Sequence, residues 1–219
     1  MVAEDLEVCK HFRNFTINMP KIGKNSVYER IFITKEEYNK CVDILLGEKN
    51  YLGLAWIVTA FVLGGRRSEL IQFKTEIIDY QFEPKKKFVK SHSVRGKGQG
   101  KNGKDLKFLI PKNVINYWKL YVDNRCFESE YIFATKDGDK VRLISREWSN
   151  YFCSHKLSTI LGRRINPHLF KASRVTNGLL DGESLNFISK KIAHHNDVST
   201  TTNFYDLRVI EDDEENEDD

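Results

Sequence analysis

The sequence predicts a mainly α domain with a small antiparallel β-sheet at its centre. Two observations carry this. Apolar residues recur at helical spacing in stretches before residue 73 and after residue 112. Between them lie three short β-rich runs, IIDYQF, KKFVKSHSV and LKFLIP, punctuated by Pro84 and by the glycine-rich GKGQGKNGK. The chain has 219 residues, 40% hydrophobic and 30% charged, enough for one substantial core plus an arm.

In order along the chain, residues 1–30 are polar and carry Pro20, Gly23 and Asn25, which predicts a short helix and a linker. The main domain runs over 31–208, and 209–219 is an acidic, disordered tail. ITKEEYNKCVDILLG opens with Thr34 and Glu37 at capping-box spacing, continues with Tyr38, Cys41, Val42 and Leu45 on one face, and stops at Gly47. Residues 51–63 form a second, very apolar helix ending at Gly64-Gly65, and a short third helix follows from Arg66 to Phe73. The three β-rich runs form the sheet, and the last hairpin has a long, mobile tip. Helix returns at Lys112–Asn124. IFAT and KVRLIS flank a hairpin-like turn at Lys136-Asp137-Gly138, and another helix spans Ser145 to Leu161. Pro167 suits the first position of the next helix. Further helices cover 183–194 and 198–207.

Composition excludes several classes. The longest apolar run, Leu52 to Leu63, falls short of the roughly 18–20 residues that span a bilayer, so no membrane partner is expected. MVAEDLEVCK lacks the apolar segment of a secretory signal. Cys9, Cys41, Cys126 and Cys153 show neither metal-ligand spacing nor a disulfide framework, which fits reduced thiols in a cytosolic protein. The formal net charge of +4 conceals a split: EDDEENEDD at 211–219 holds eight acids, and the rest of the chain carries +12. Such a body points to a polyanionic partner.

Candidate site residues are cations spread along the chain ahead of one late tyrosine. Tyr205 is a poor nucleophile until cations stabilise its oxyanion and the phosphate it attacks. Arg66 opens a helix in GGRRSEL, with Glu69 three residues on to orient its guanidinium. From Lys85 to Lys107 the hairpin holds nine Lys or Arg against one acid, Asp105. Lys85, Lys86, Lys87, Arg95, Lys101, Lys104 and Lys107 are candidate DNA contacts. Lys97 is a candidate proton donor to a leaving 5′-oxygen, although Lys97, Lys101 and Lys104 are all glycine-flanked and their chemistry does not separate them. His168, Lys171 and Arg174 recur every three residues on one helix, a costly grouping without an anion to hold. His195 follows His194 and suits phosphate hydrogen bonding near neutral pH. No cysteine lies beside this pair in sequence to complete a metal site.

GGRRSELIQFK, RGKGQGKNGK, INPHLFKASRVTNGLL and HHNDVSTTTNFYDLR resemble, in order and spacing, the motifs of the tyrosine recombinase (phage-type integrase) family, over roughly residues 30–208. The resemblance implies the catalytic fold shared with type IB topoisomerases. It also implies attack of Tyr205 on a DNA phosphodiester to give a 3′-phosphotyrosine, with no metal or other cofactor. By motif, Arg66 is the first catalytic arginine, Lys97 the hairpin lysine, His168 the start of His-x-x-Arg, and His195 the later histidine. Glu69 is the acidic residue.

Three positions depart from the pattern. Lys171 stands where the second arginine is expected, which keeps the charge and loses the bidentate fork; Lys171-x-x-Arg174 as a shifted motif is the alternative. His194 replaces the usual glycine and competes with His195 for the histidine role, HND favouring His195. Phe204 occupies the more usual nucleophile count from His195, whereas YDLR favours Tyr205. The resemblance further implies double-stranded DNA as partner and a synaptic tetramer of the chain. It also allows an accessory DNA-bending or excision factor, as expected of an integrase of a phage or other mobile element. The expected location is a bacterial or phage-infected cytoplasm at the nucleoid, or a nucleus in a eukaryote. Residues 1–30 read as the remnant of a core-binding domain or as the start of a minimal recombinase. The rival expectations are a disabled DNA-binding module and a topoisomerase-like relaxing enzyme.

Overall fold

The computed structural model describes residues 32–81, 85–97, 103–194 and 198–205, all within the second of the two units into which the chain divides, Ile31–Asp219. The helix and linker expected in 1–30 and the acidic tail lie outside the described residues. The fold is mainly helical with small antiparallel ladders.

Helix α1, Lys35–Gly47, begins as its sequence dictates. The Thr34 hydroxyl accepts from the Glu37 amide at 3.3 Å, and the Glu37 carboxylate takes the Thr34 amide at 3.0 Å. That carboxylate also receives Arg163 at 2.6 Å, and this hydrogen bond is the chief reason its acidity is strengthened. Helix α2, Tyr51–Leu63, is apolar all round and therefore runs through the core. Gly64 closes it in the left-handed region, φ 61°, and a Cβ there would meet Arg174 at 2.8 Å. Trp118 crosses from helix α4, Lys112–Asn124, to give its indole N–H to Thr59 of α2 at 2.6 Å. The short helix after α2, α3, covers only Arg67–Leu70, one turn rather than the expected reach to Phe73.

The expected strand at IIDYQF is instead a 3₁₀ turn, Thr75–Asp79. Adjacent Ile77 and Ile78 do not alternate, and the Thr75 amide is already taken by the Glu130 carbonyl at 2.9 Å. The basic stretch forms one long antiparallel hairpin in two ladders. Strand β1, Phe88–Lys90, pairs with β4, Leu109–Pro111, and β2, Val94–Gly96, pairs with β3, Lys104–Leu106. Val89 faces Ile110, Ser91 bonds Phe108, and Val94 faces Leu106, so His92 and Ser93 together stand opposite Lys107. This is a β-bulge, which bends and twists the distal half of the hairpin. A separate hairpin, β5 Ala134–Asp137 with β6 Lys140–Leu143, turns at Gly138.

The helical run after Ser145 is α5, Arg146–Tyr151, a π segment, Phe152–Leu157, and α6, Ser158–Leu161. Helix α7, Leu169–Leu180, starts two residues after Pro167. Asn166 prepares its entry by accepting the His168 amide at 3.0 Å, so proline precedes the helix instead of opening it. The buried faces of α7 grip the start of the domain: Ser173 accepts the Ile33 amide at 2.7 Å and Asn177 donates to the Ile33 carbonyl at 2.8 Å. Helix α8, Leu185–Phe187, continues as a π segment, Ile188–Ile192, and packs with α7 through Val175, Leu179, Ile188 and Ala193, a cluster apart from the main core. Helix α9, Val198–Tyr205, lies against α7 and α8. Among the described residues no helix is long and apolar enough to cross a membrane.

Candidate active site

Arg66 stands in extended backbone, φ −71° and ψ 152°, just before the single turn of α3. That turn folds Glu69 back onto it. The Glu69 carboxylate accepts the Arg66 amide at 2.8 Å through one oxygen and its guanidinium at 3.1 Å through the other. Glu69 is 1% exposed, whereas the Arg66 side chain is about one-third exposed at 36%. The carboxylate thus orients the guanidinium from beneath and leaves part of it open to a ligand. With four residues, α3 is too short to supply a substantial helix dipole at this point.

Lys171 reaches the same place from α7. It is 6% exposed, and its ammonium donates to the Ala193 carbonyl at 2.7 Å. Burial is the main cause of its pKa falling to about 8; Arg66 and Lys104 push it down further, and Glu69 opposes them. Its neighbour across the site is His194, in the left-handed region at φ 54°. The imidazole packs edge-on against Phe108, 5.0 Å between centroids. Burial, together with Lys171, Lys104 and Arg66 and against Glu69, lowers its pKa to about 4, so the ring is neutral at physiological pH. Its Nε2 is buried and has no hydrogen-bond partner among the described residues. A positive φ explains why glycine suits this position in the family pattern.

Lys104 arrives from β3, where it pairs with Gly96, and donates to the His194 carbonyl at 3.3 Å. Of the glycine-flanked lysines, the structure brings Lys104 to Lys171 and His194. Lys97 is exposed just beyond β2, and Lys101 lies outside the described residues. Lys85, Lys86, Lys87, Arg95 and Lys107 are all exposed along the hairpin and its approach.

The helical triplet does not act as one cluster. His168 is exposed at the head of α7, beside a cleft of about 230 Å³ that Arg66 and Lys171 also line. Arg174 is drawn elsewhere: its Nε donates to the Val62 carbonyl at 3.0 Å and its terminal nitrogen to both oxygens of Glu183 at 3.0 Å. One helical turn is enough to send Lys171 and Arg174 to different partners. His195 lies outside the described residues, and Tyr205 closes α9.

Sequence reasoning missed three contributors. Arg67 and Arg146 line the same cleft, and Arg67 also donates to the Ile144 carbonyl at 3.3 Å. No periodicity marks either one, although the Ser145 cap places Arg146 at the head of α5. Gln72 is the third. Its side-chain amide accepts the Arg95 N–H and donates to the Arg95 carbonyl, both at 2.9 Å, gripping the outer edge of β2. Through it, the basic hairpin is fixed to the segment that carries Arg66 and Glu69. The result is a set of cations, Arg66, Arg67, Arg146, Lys104 and Lys171, around one buried carboxylate and one neutral histidine. Such an environment favours an anion with several oxygens.

No family model matches the chain. It is 48% identical over 212 residues to an SPbeta prophage-derived recombinase-like protein, YomM, of Bacillus subtilis (strain 168), covering 96% of this chain and 63% of that protein. It is 25% identical over 179 residues to the tyrosine recombinase XerA of Thermococcus onnurineus (strain NA1), covering 82% of this chain and 58% of that one. The chain therefore spans about three-fifths of the length of these relatives. Among solved structures, the Tn1549 transposon integrase in complex with transposon right-end DNA superposes with a TM-score of 0.59 at 14% identity, over 83% of this chain and 63% of that one. With its helical fold, its antiparallel ladders and these relatives, the chain belongs to the tyrosine recombinase family and carries its catalytic domain.

Proposed function

We propose that this domain cleaves and rejoins double-stranded DNA at specific sites. The phenolic oxygen of Tyr205 attacks a phosphodiester, the bond from phosphorus to the 5′-oxygen breaks, and a 3′-phosphotyrosine forms. The phenol gives up its proton and the departing 5′-oxygen gains one; Lys97 and Lys104 are the candidate donors on the hairpin. Rejoining is the same step reversed, with the bond energy kept in the phosphotyrosine. Arg66 and Lys171, with His168 and His195, receive the charge that builds on the phosphate, and Glu69 orients Arg66. The observation that carries this proposal is the meeting of Arg66, Lys171 and Lys104 around buried Glu69, with α9, the helix that ends at Tyr205, lying against the helix that bears Lys171. The Tn1549 integrase, of like fold, holds transposon DNA, which supports the choice of partner.

A duplex nicked near a candidate site traps the intermediate, because the short 5′-strand diffuses away. The expected result is a covalent protein–DNA adduct on a denaturing gel, absent in Tyr205→Phe. Lys171→Arg restores a bidentate donor at the phosphate and should raise the single-turnover rate by about 10-fold or more. Intact DNA binding with no adduct from either protein would refute the cleavage chemistry. By family resemblance, four copies synapse two duplexes, with a DNA-bending or excision factor as an optional partner; light scattering of the DNA complex should then give four chains.

A further inference from the structure

We propose that Lys171 and Lys104 form a two-lysine clamp on the turn at Ala193–His194, so that the basic hairpin and the helix bearing Tyr205 are held in one register. The proposal deepens the reading of α9 as the nucleophile helix, but its geometry is independent of DNA. Two lysines from distant elements close on consecutive carbonyls: Lys171 from α7 on Ala193 at 2.7 Å, and Lys104 from β3 on His194 at 3.3 Å. They do so where a π segment ends and the backbone swings into the left-handed region, φ 54° at His194. Carbonyls at a helix C-terminus lack intrahelical partners and carry partial negative charge, so ammonium groups are suitable caps.

The turn is braced from below as well. Ala193 is 1% exposed among Val175, Leu179 and Ile188, and its amide is taken by the Ile188 carbonyl at 2.8 Å. Three residues separate His194 from Val198, the first residue of α9. That connection spans on the order of 14 Å at full stretch, which keeps the start of α9 close to the turn. On the other side, Lys104 belongs to a hairpin whose β2 edge is held by Gln72. A phosphate pulling on the hairpin therefore pulls on a residue already attached to the approach of the nucleophile helix. Lys171 and Lys104 are like charges sharing one small region with Arg66, and Glu69 opposes the three of them.

Amide hydrogen exchange on the free protein tests the clamp. In Lys104→Met and in Lys171→Met, exchange in 198–205 should accelerate by about 10-fold, with no acceleration in the amides of α2 as the control for global folding. The double variant should accelerate by less than the product of the singles, because both lysines hold one turn. Lys104→Arg keeps a donor for the His194 carbonyl and should keep exchange slow. Lys107→Met, on the same hairpin, should have no effect. Unchanged exchange in 198–205 in both methionine variants, or equal acceleration in Lys107→Met, would overturn the clamp. Because no DNA is present, a chain that never forms an adduct still answers this question.

Discussion

At the scale of the residue, Lys171 is costly and well supported. Its ammonium is buried, its folded pKa of about 8 lies below the usual 10.5, and it sits beside Arg66 and Lys104. Between about pH 8 and 10.5 the unfolded chain binds this proton and the folded chain does not, so stability rises with pH across that window. Below pH 8 the penalty is complete, on the order of 3 kcal/mol. Losing the bond to Ala193 returns about 1–2 kcal/mol of it. Lys171→Met should therefore raise stability at pH 7 by about 1 kcal/mol, a few degrees in Tm, and the gain should vanish at about pH 9 and reverse toward about pH 10.5. Thermal unfolding of both proteins across that range checks this; a gain that grows with pH would show that burial is not the cause. A residue that lowers stability and faces a cation-lined cleft fits the trade between stability and function. His194 acts in the same sense at lower pH. Its pKa of about 4 lies below the usual 6.5, so folding loses stability as pH falls through that interval.

At the scale of the element, the basic hairpin shows how far sequence carries and where it stops. The hairpin and its lysines were legible from glycine placement and charge. The bulge was not, because a one-residue change of register leaves no mark in composition. It appears only when His92 and Ser93 are seen opposite Lys107. Nor could sequence separate Lys97 from Lys104, since the choice depends on which strand position faces His194. Gln72 was invisible because an amide is neutral and its two bonds to Arg95 run to backbone. Those bonds make a sharp prediction. Gln72→Glu keeps an acceptor for the Arg95 amide but places an oxygen against the Arg95 carbonyl. Stability should fall by about 1 kcal/mol at pH 7 relative to the parent and recover below about pH 4, where the new carboxylic acid can donate. An equal deficit at both pH values would mean that the grip is not a donor–acceptor pair.

At the scale of the whole molecule, the split in charge matters more than the net value. On the proposed function, a body of +12 would meet DNA through a hairpin of exposed lysines and a cleft of arginines. DNA affinity should fall steeply with salt. Replacing Lys85, Lys86 and Lys87 together by alanine should flatten the slope of log K against log salt by about 2–3. A parallel slope with lower affinity would place these lysines away from phosphates. The main core was legible: the apolar α2 and the capping box of α1 dictate their own burial. The division into a main cluster and a smaller one beneath His194 was not, because Val175, Leu179 and Ile188 come together only when α7 and α8 pack.

The stitching of Ile33 to α7 has a mechanical consequence. Ser173 and Asn177 hold both the amide and the carbonyl of Ile33, and Arg163 holds the Phe32 carbonyl at 2.8 Å. Tension applied to the chain ahead of residue 32 is borne by three bonds loaded in parallel, and two of them anchor in the helix that carries Lys171. The rear wall of the candidate site is thus also its tether, and a load on the leading segment is passed to the helix that carries Lys171.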